Sequence, residues 1–515
     1  MKAPRPIVWT IAGSDSGGGA GIQADLHSFQ SLGVHGCSVI TTITAQNSHC
    51  VAATESVSAD TLRAQIQTLA HDLPPSVIKI GLLASKEQVA VVSEEINHLK
   101  SQIPGLRVVY DPVSIASSGS PLTVEPIEDS VRSQLMPMLD VITPNSLEAE
   151  RVTGTAIVDY PSLRGAADHL QRLGAVSVVV KGGHSELIPG YCLDYLRSDI
   201  FESDATEMVL AQPRIDSPNH HGSGCCYASA LAAALALDYS LEDAVVVANA
   251  YVHRGITESS ALGQGPGPVA HGAWPESSQY FAQLVLPGSE LAEQMKWTPE
   301  TTYPATPFTP CDTKKLGLYP VVDNCHWLEK LLHEGVKTIQ LRVKNLTGDA
   351  LKKEVAQAVE LGRQFNARLF INDYWQLAIE LGAYGVHLGQ EDMERADLRA
   401  IQNAGLRLGL SSHGYFELMR ALAVQPSYVA CGAIYPTTTK TMPSRPQGLV
   451  KLQRYLQLTG ETPVVAIGGI SCERARQVAA TGVGSIAVVT AVTEAPDYRA
   501  AVADIQDILA VEYRP

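Results

Sequence analysis

Eight short apolar runs follow one another through the last part of the chain: LYPVV from Leu318, TIQLRV from Thr338, RLFIN from Arg368, GVHLG from Gly385, RLGLS from Arg407, YVACG from Tyr428, PVVAIG from Pro463 and SIAVVT from Ser485. A segment of helical texture follows each run. Eight strand–helix units in about 200 residues match the count and the minimum length of a (β/α)8 barrel. Each run ends in polar or glycine residues, on the side where such a barrel places its chemistry. The pattern predicts a TIM barrel over residues 314–515.

Residues 1–271 alternate strands with helices in a different way. The runs IVWTIAG, CSVITTIT, SVIKIG, RVVYDPV, DVITPN and AVSVVVKGG are continuous rather than alternating in polarity. That is how parallel strands read when both faces are covered by helices. An α/β sandwich with a mostly parallel sheet is expected. Residues 272–313 carry six prolines and many threonines, and are read as a linker with at most one short helix.

Charge and cysteine usage narrow the function classes. The 515-residue chain has a formal net charge of -15, so nucleic acid and anionic membrane are poor partners. No apolar run approaches the ~18 residues needed to cross a bilayer, and the N-terminus lacks a signal-peptide pattern. Cytoplasm is the expected location. Nine cysteines with no C-x-x-C pair argue against a disulfide framework and a structural zinc site. Small molecules are the expected partners, and homo-oligomerisation stays open.

Two glycine-rich stretches mark the first region. HHGSGCC, from His220, precedes an alanine-rich helix, and the free N–H groups of a helix start attract anions. Gly222, Ser223 and Gly224 form a candidate anion cradle. A cysteine in the first turn, Cys225, is expected to have a lowered pKa and to act as a base. A plain helix cap is the competing reading. AGSDSGGGAGIQAD, from Ala12 to Asp25, is the second stretch; it matches neither a dinucleotide fingerprint nor a P-loop. Gln46, Asp111, Asn145 and Lys181 stand at further strand ends, where open α/β sheets bind ligands.

In the barrel region, Gln340, Arg342 and Lys344 alternate along one strand and so share a face. Cations pointing together into a barrel mouth imply an anion. Asn372 and Asp373 end the next strand, and Gln390 and Asp392 follow the one after. Two carboxylates from neighbouring strand ends suit one Mg2+ ion. Ser411, Thr437, Thr439, Lys440, Gly468 and Gly469 supply hydroxyls, an amine and N–H groups suited to phosphate. The segment from Lys440 to Gly448 reads as a lid.

The motifs of the first region, AGSDSGGGAGIQAD, TAQNS, TPNSLEAE, KGGH and HGSGC, closely resemble the hydroxymethylpyrimidine/phosphomethylpyrimidine kinases of the ribokinase-like superfamily. The resemblance implies ATP, Mg2+ and two successive phosphorylations, first of an aminopyrimidine alcohol and then of its monophosphate. It implies that Gly13, Asp25 and Gln46 hold the pyrimidine. It assigns Lys181 to phosphate, with Asn145 and Asp111 on the nucleotide side. Gly222, Gly224 and Cys225 become the catalytic anion hole, with Cys225 where many superfamily members carry an aspartate and Ser223 where a threonine is expected.

The barrel order Q-L-R-x-K, N-D, H-L-G-Q-x-D, P-T-x-T-K and I-G-G-I resembles thiamine-phosphate synthase over about Gly317–Leu509. That implies condensation of pyrimidine pyrophosphate with a thiazole phosphate, with Asp373 and Asp392 on Mg2+. Arg342, Lys344 and Lys440 would stabilise the departing pyrophosphate, and Gln340, Asn372 and Ser411 would bind substrate. Thr437, Thr439 and the Gly469 backbone would hold the thiazole phosphate, with Val489 and Thr490 also binding substrate and Thr490 standing where a serine-like hydroxyl is expected. Together the two resemblances imply a bifunctional enzyme of thiamine biosynthesis. A pyridoxal-type kinase in the first half, or a ligand-sensing half without activity, are the rival readings.

Overall fold

The computed structural model describes residues 5–113, 122–184, 187–200, 207–297, 303–304, 306–437 and 445–511. The chain forms two compact units that divide between residues 299 and 300.

The first unit is built on a ten-stranded sheet. Its strands are β1 (Ile7–Asp15), β2 (His35–Gln46), β3 (Val51–Ser56), β4 (Val77–Ile80), β5 (Arg107–Tyr110), β6 (Val141–Ile142), β7 (Ser177–Val180), β8 (Tyr191–Ser198), β9 (Glu207–Pro213) and β10 (Gln283–Leu284). They lie in the order β10-β9-β8-β7-β6-β5-β4-β1-β2-β3. The six strands from β7 to β2 are mutually parallel and coincide with the six apolar runs. Antiparallel strands extend both edges, with β3 against β2 on one side and β8, β9 and β10 on the other. The helix Ser223–Ala236 lies along β1 and β4, flanked by the helices Gly21–Leu32 and Leu241–Thr257. Its alanines let these elements approach closely, and every residue from Cys226 to Ala236 is buried. A helix apolar on all sides belongs inside a protein.

The segment read as a linker is structured on both sides of the division. Residues 272–297 belong to the first unit: β10 pairs with β9, and Val285, Leu291, Ala292 and Met295 join its hydrophobic core. Trp297 stacks on Tyr160 with ring centroids 4.8 Å apart. Spaced apolar anchors, rather than the prolines between them, decide where this stretch goes.

The second unit is a closed barrel of eight parallel strands. They are β11 (Gly317–Val322), β12 (Thr338–Leu341), β13 (Arg368–Asn372), β14 (Gly385–Leu388), β15 (Arg407–Ser412), β16 (Tyr428–Cys431), β17 (Val464–Ala466) and β18 (Ser485–Val488), and β18 closes on β11. All eight fall on the eight apolar runs. Tyr319, Phe370 and Tyr428 fill the interior with Ala430, Val465 and Ala487. Residues 306–312 run across the N-terminal ends of the strands. Phe308 is buried and its N–H donates to the Gln425 carbonyl (3.0 Å), Ser427 donates to the Thr309 carbonyl (2.6 Å), and Asp312 pairs with Arg368 (3.1 Å). Residues 306–312 therefore pack on the second unit, ahead of its first strand at Gly317.

Candidate functional site

In the first unit, the ends of β5, β6 and β7 converge with the start of the Ser223–Ala236 helix. Lys181 Nζ lies 2.6 Å from Asp111 Oδ1. Asp111 is fully buried, and its Oδ2 has no hydrogen-bond partner among the described residues. A Cβ added at Gly224 would stand 3.2 Å from Lys181 Nζ and 3.5 Å from Asp111 Oδ2. The helix start thus opens directly onto the Lys181–Asp111 pair. Burial opposes the lysine's charge, but Asp111 and Glu148 hold its pKa above the ordinary value.

Asn145 caps the helix Ser146–Thr153. It accepts from the Glu148 N–H (2.9 Å), and Glu148 in turn accepts from the Asn145 N–H (2.8 Å). This capping box brings a carboxylate to the crevice that the sequence reading had not singled out. Burial pushes Glu148 up to about 7, with Lys181 pulling it down and Asp111 pushing it up. Its signal was present as N-x-x-E in TPNSLEAE.

The two glycine-rich stretches interlock. Gly222 has φ +78°, and a Cβ there would lie 1.9 Å from the Gly19 carbonyl oxygen. A Cβ at Gly19 would lie 2.5 Å from the His221 ring. Asp15 ties the junction: it accepts from the Gly17 (2.8 Å), Gly19 (3.2 Å) and Ala20 (2.9 Å) amides, and lies 3.2 Å from His221 Nε2. Burial works against its charge, yet His221 and the amides outweigh it and hold Asp15 below the ordinary carboxylate range. So several of these glycines are required by loop-on-loop packing. Gly13 sits at an irregularity between β1 and β2, against the Leu82 side chain. Gln46 ends β2, and its backbone N–H and carbonyl are both bonded by the Ser16 hydroxyl, at 2.8 and 2.7 Å.

Two expectations need correction. Asp25 does not face a ligand. It is completely buried, and its carboxylate takes Lys79 on both oxygens (3.0 and 2.9 Å), Thr10 (2.6 Å) and Ser229 (2.7 Å). All its acceptor capacity is spent within the protein. Cys225 is not an acidified thiol either. Burial pushes it up to about 11, with Asp25 and Asp111 adding to the effect and Lys79 opposing it. Burial beside two carboxylates outweighs the pull of Lys79 and of the Gly21 backbone.

In the second unit, the predicted residues gather at the C-terminal rim. Lys344 Nζ lies 2.5 Å from Asp373 Oδ2. Asp373 holds φ +64°, a left-handed conformation that aspartate tolerates better than most residues. Asp392, in the helix Gln390–Arg395, is raised by burial first and then by the facing Asp373 carboxylate. Two carboxylates in contact are a poor arrangement without a cation. Gln340 and Asn372 are buried, while Arg342 is half-buried. Ser411 Oγ lies 2.9 Å from His387 Nε2. Gly468 and Gly469 have φ +99° and +63°, because a Cβ on either would strike the loop after β16. Arg474, not foreseen, donates to the Gly469 carbonyl (2.7 Å) and stacks over Tyr435. Val489 and Thr490 start the short helix Thr490–Thr493. Thr437 ends the described part of its loop; Thr439, Lys440 and most of the expected lid lie outside the described residues.

Comparisons with known proteins divide along the same line. The family profile for phosphomethylpyrimidine kinase matches residues 15–270, and that for thiamine monophosphate synthase matches residues 318–492. A thiamine-phosphate synthase of Serratia proteamaculans is 56% identical over 209 residues, which is 41% of this chain and 96% of the relative. Among solved structures, a phosphomethylpyrimidine kinase of Clostridium difficile is 33% identical, covering 47% of this chain and 96% of that one, with TM-score 0.39. A Bacillus subtilis pyridoxal kinase in an ADP complex is 32% identical, covering 52% of this chain and 97% of that one, with TM-score 0.46.

Proposed function

Because the chain belongs to the phosphomethylpyrimidine kinase family in its first unit and to the thiamine-phosphate synthase family in its second, we propose that it carries out consecutive steps of thiamine biosynthesis in the cytoplasm. The first unit transfers the γ-phosphoryl of ATP to the hydroxymethyl oxygen of the aminopyrimidine alcohol. A second ATP then extends the monophosphate to the pyrophosphate. The second unit joins the product to hydroxyethylthiazole phosphate.

The observation that carries this reading is the convergence of Lys181, Asp111 and the Gly222–Gly224 helix start on one point. Phosphoryl transfer through a loose transition state needs positioning and charge stabilisation more than covalent help. The helix start and Lys181 suit the transferred group. Cys225, a thiol at neutral pH, lines the hole without serving as a base, so the hydroxyl proton passes to the phosphoryl oxygens. Gln46 and Gly13 sit where the pyrimidine would be held. Asp111 Oδ2, without a hydrogen-bond partner among the described residues, fits a divalent cation together with Glu148.

In the barrel, the C–O bond at the pyrimidine methylene breaks and pyrophosphate leaves with the electron pair. The thiazole nitrogen lone pair then forms the C–N bond. The contact of Asp373 with Asp392 fits Mg2+, which when bound would neutralise charge on the leaving pyrophosphate. Arg342 and Lys344 add positive charge on the same side, and Asn372 ends the neighbouring strand β13. Gly469, Val489, Thr490 and Thr437 are the described residues that would bind the thiazole phosphate, and Arg474 donates to the Gly469 carbonyl.

The test uses the purified full chain with the aminopyrimidine alcohol, ATP, Mg2+ and thiazole phosphate, with single omissions. Thiamine phosphate should form only in the complete mixture. Its absence there sinks the reading, and preferential phosphorylation of pyridoxal over the alcohol would reassign the first unit.

A further inference from the structure

Barrel interiors of this class are usually filled by branched apolar side chains. Here a line of polar side chains crosses the interior instead. The Gln340 amide on β12 donates to Tyr319 Oη on β11 (3.3 Å). Tyr319 Oη lies 2.7 Å from Tyr428 Oη on β16. Tyr428 Oη lies 2.7 Å from His387 Nδ1 on β14, and His387 Nε2 lies 2.9 Å from Ser411 Oγ on β15. Both ends of the line are residues expected to bind substrate, and the three between them have no assigned role.

One proton arrangement runs the length of the line. Tyr319 accepts from the Gln340 amide and gives its own proton to Tyr428, one of the two donor choices open to that contact. Tyr428 then donates to His387 Nδ1. In this arrangement the imidazole carries its proton on Nε2 and gives it to Ser411 Oγ. The serine hydroxyl is left to donate outward, to an acceptor on the substrate. Burial pushes both phenols up, so each keeps its proton at neutral pH.

We propose that Gln340 and Ser411 are one coupled recognition unit, joined through Tyr319, Tyr428 and His387 as positioning residues that make Ser411 a hydrogen-bond donor. The inference rests on the thiamine-phosphate synthase reading of this unit. Hydrogen bonds in such a chain polarise one another, so loss of one end is felt at the other.

Two measurements test it. The first is 15N NMR of the full chain labelled in histidine, with His387 assigned by the signal missing from His387→Gln. The Nε2–H tautomer is expected; the Nδ1–H tautomer or an imidazolium at pH 7.5 overturns the proposal. This readout needs no turnover, so a chain that makes no thiamine phosphate refutes the functional reading separately. The second is kcat/KM for pyrimidine pyrophosphate in Gln340→Ala, Ser411→Ala and the double variant. The double variant should lose less than the product of the single losses by about threefold or more. In a Tyr428→Phe background the losses should multiply. Multiplicative losses without that change, or coupling that survives it, overturn the proposal. Tyr319→Phe cuts the same line and replaces Tyr428→Phe if that variant does not fold.

Discussion

Asp25 and Lys79 show how a residue with every mark of a ligand can be structural. Both side chains are fully buried and paired at 2.9 Å. Breaking one partner of a buried pair strands the other charge, which typically destabilises by about 3–5 kcal/mol. Lys79→Met should therefore lower the stability of the first unit by that order, read by denaturant unfolding, and Lys79→Met with Asp25→Leu should recover part of the loss. A double variant no better than the single would show that Asp25 is not the stranded group. Cys225 carries a prediction of its own. With its thiol pushed up to about 11, the reactive thiolate is scarce at neutral pH. Alkylation of Cys225, followed by peptide mass spectrometry against the exposed Cys50, should be slow at pH 7 and rise roughly tenfold per pH unit up to pH 9.5. A rate already level at pH 8 would restore the acidified thiol expected from a helix start.

At the scale of elements, segment 306–312 is the least expected part of the fold. Phe308 is buried against the N-terminal side of the barrel. Phe308→Ala should cost the second unit about 3 kcal/mol or more, seen as a lowered unfolding midpoint; an unchanged midpoint would return the segment to linker status. The fourteen central strands were legible because each is a continuous apolar run, the pattern of a strand covered on both faces. The four antiparallel edge strands were not. VAATES of β3 is mostly exposed, and YCLDYLRS of β8 mixes polar residues into a buried strand, including Asp194, which accepts from the Gly182 N–H and Asn249. The Lys181, Asp111, Asp373 and Asp392 placements were readable because strand ends point to one side of each sheet. The Asp15–His221 tie was not, since nothing in either stretch names a partner 206 residues away. Neither was the saturation of Asp25, which depends on Lys79 and Ser229 from other elements.

At the scale of the molecule, two compact units carry two sets of chemistry. Asp373→Ala should abolish thiamine phosphate formation while pyrimidine pyrophosphate still accumulates from the alcohol, measured by chromatography of the reaction mixture. Loss of both products would mean that the units are not independent. The interlock of the glycine-rich stretches has a consequence in time rather than in space. Its halves are made far apart during translation. At synthesis rates of about 5–20 residues per second, the chain waits on the order of ten to forty seconds between the emergence of Gly19 and that of Gly222. Over that interval the N-terminal loop has no counterpart, and β1 and β2 wait beside an unfinished sheet. The kinase crevice is therefore among the last features of its unit to be completed on the ribosome, and a nascent chain stalled before His221 should bind no nucleotide-dependent substrate, however much of its parallel sheet has already formed.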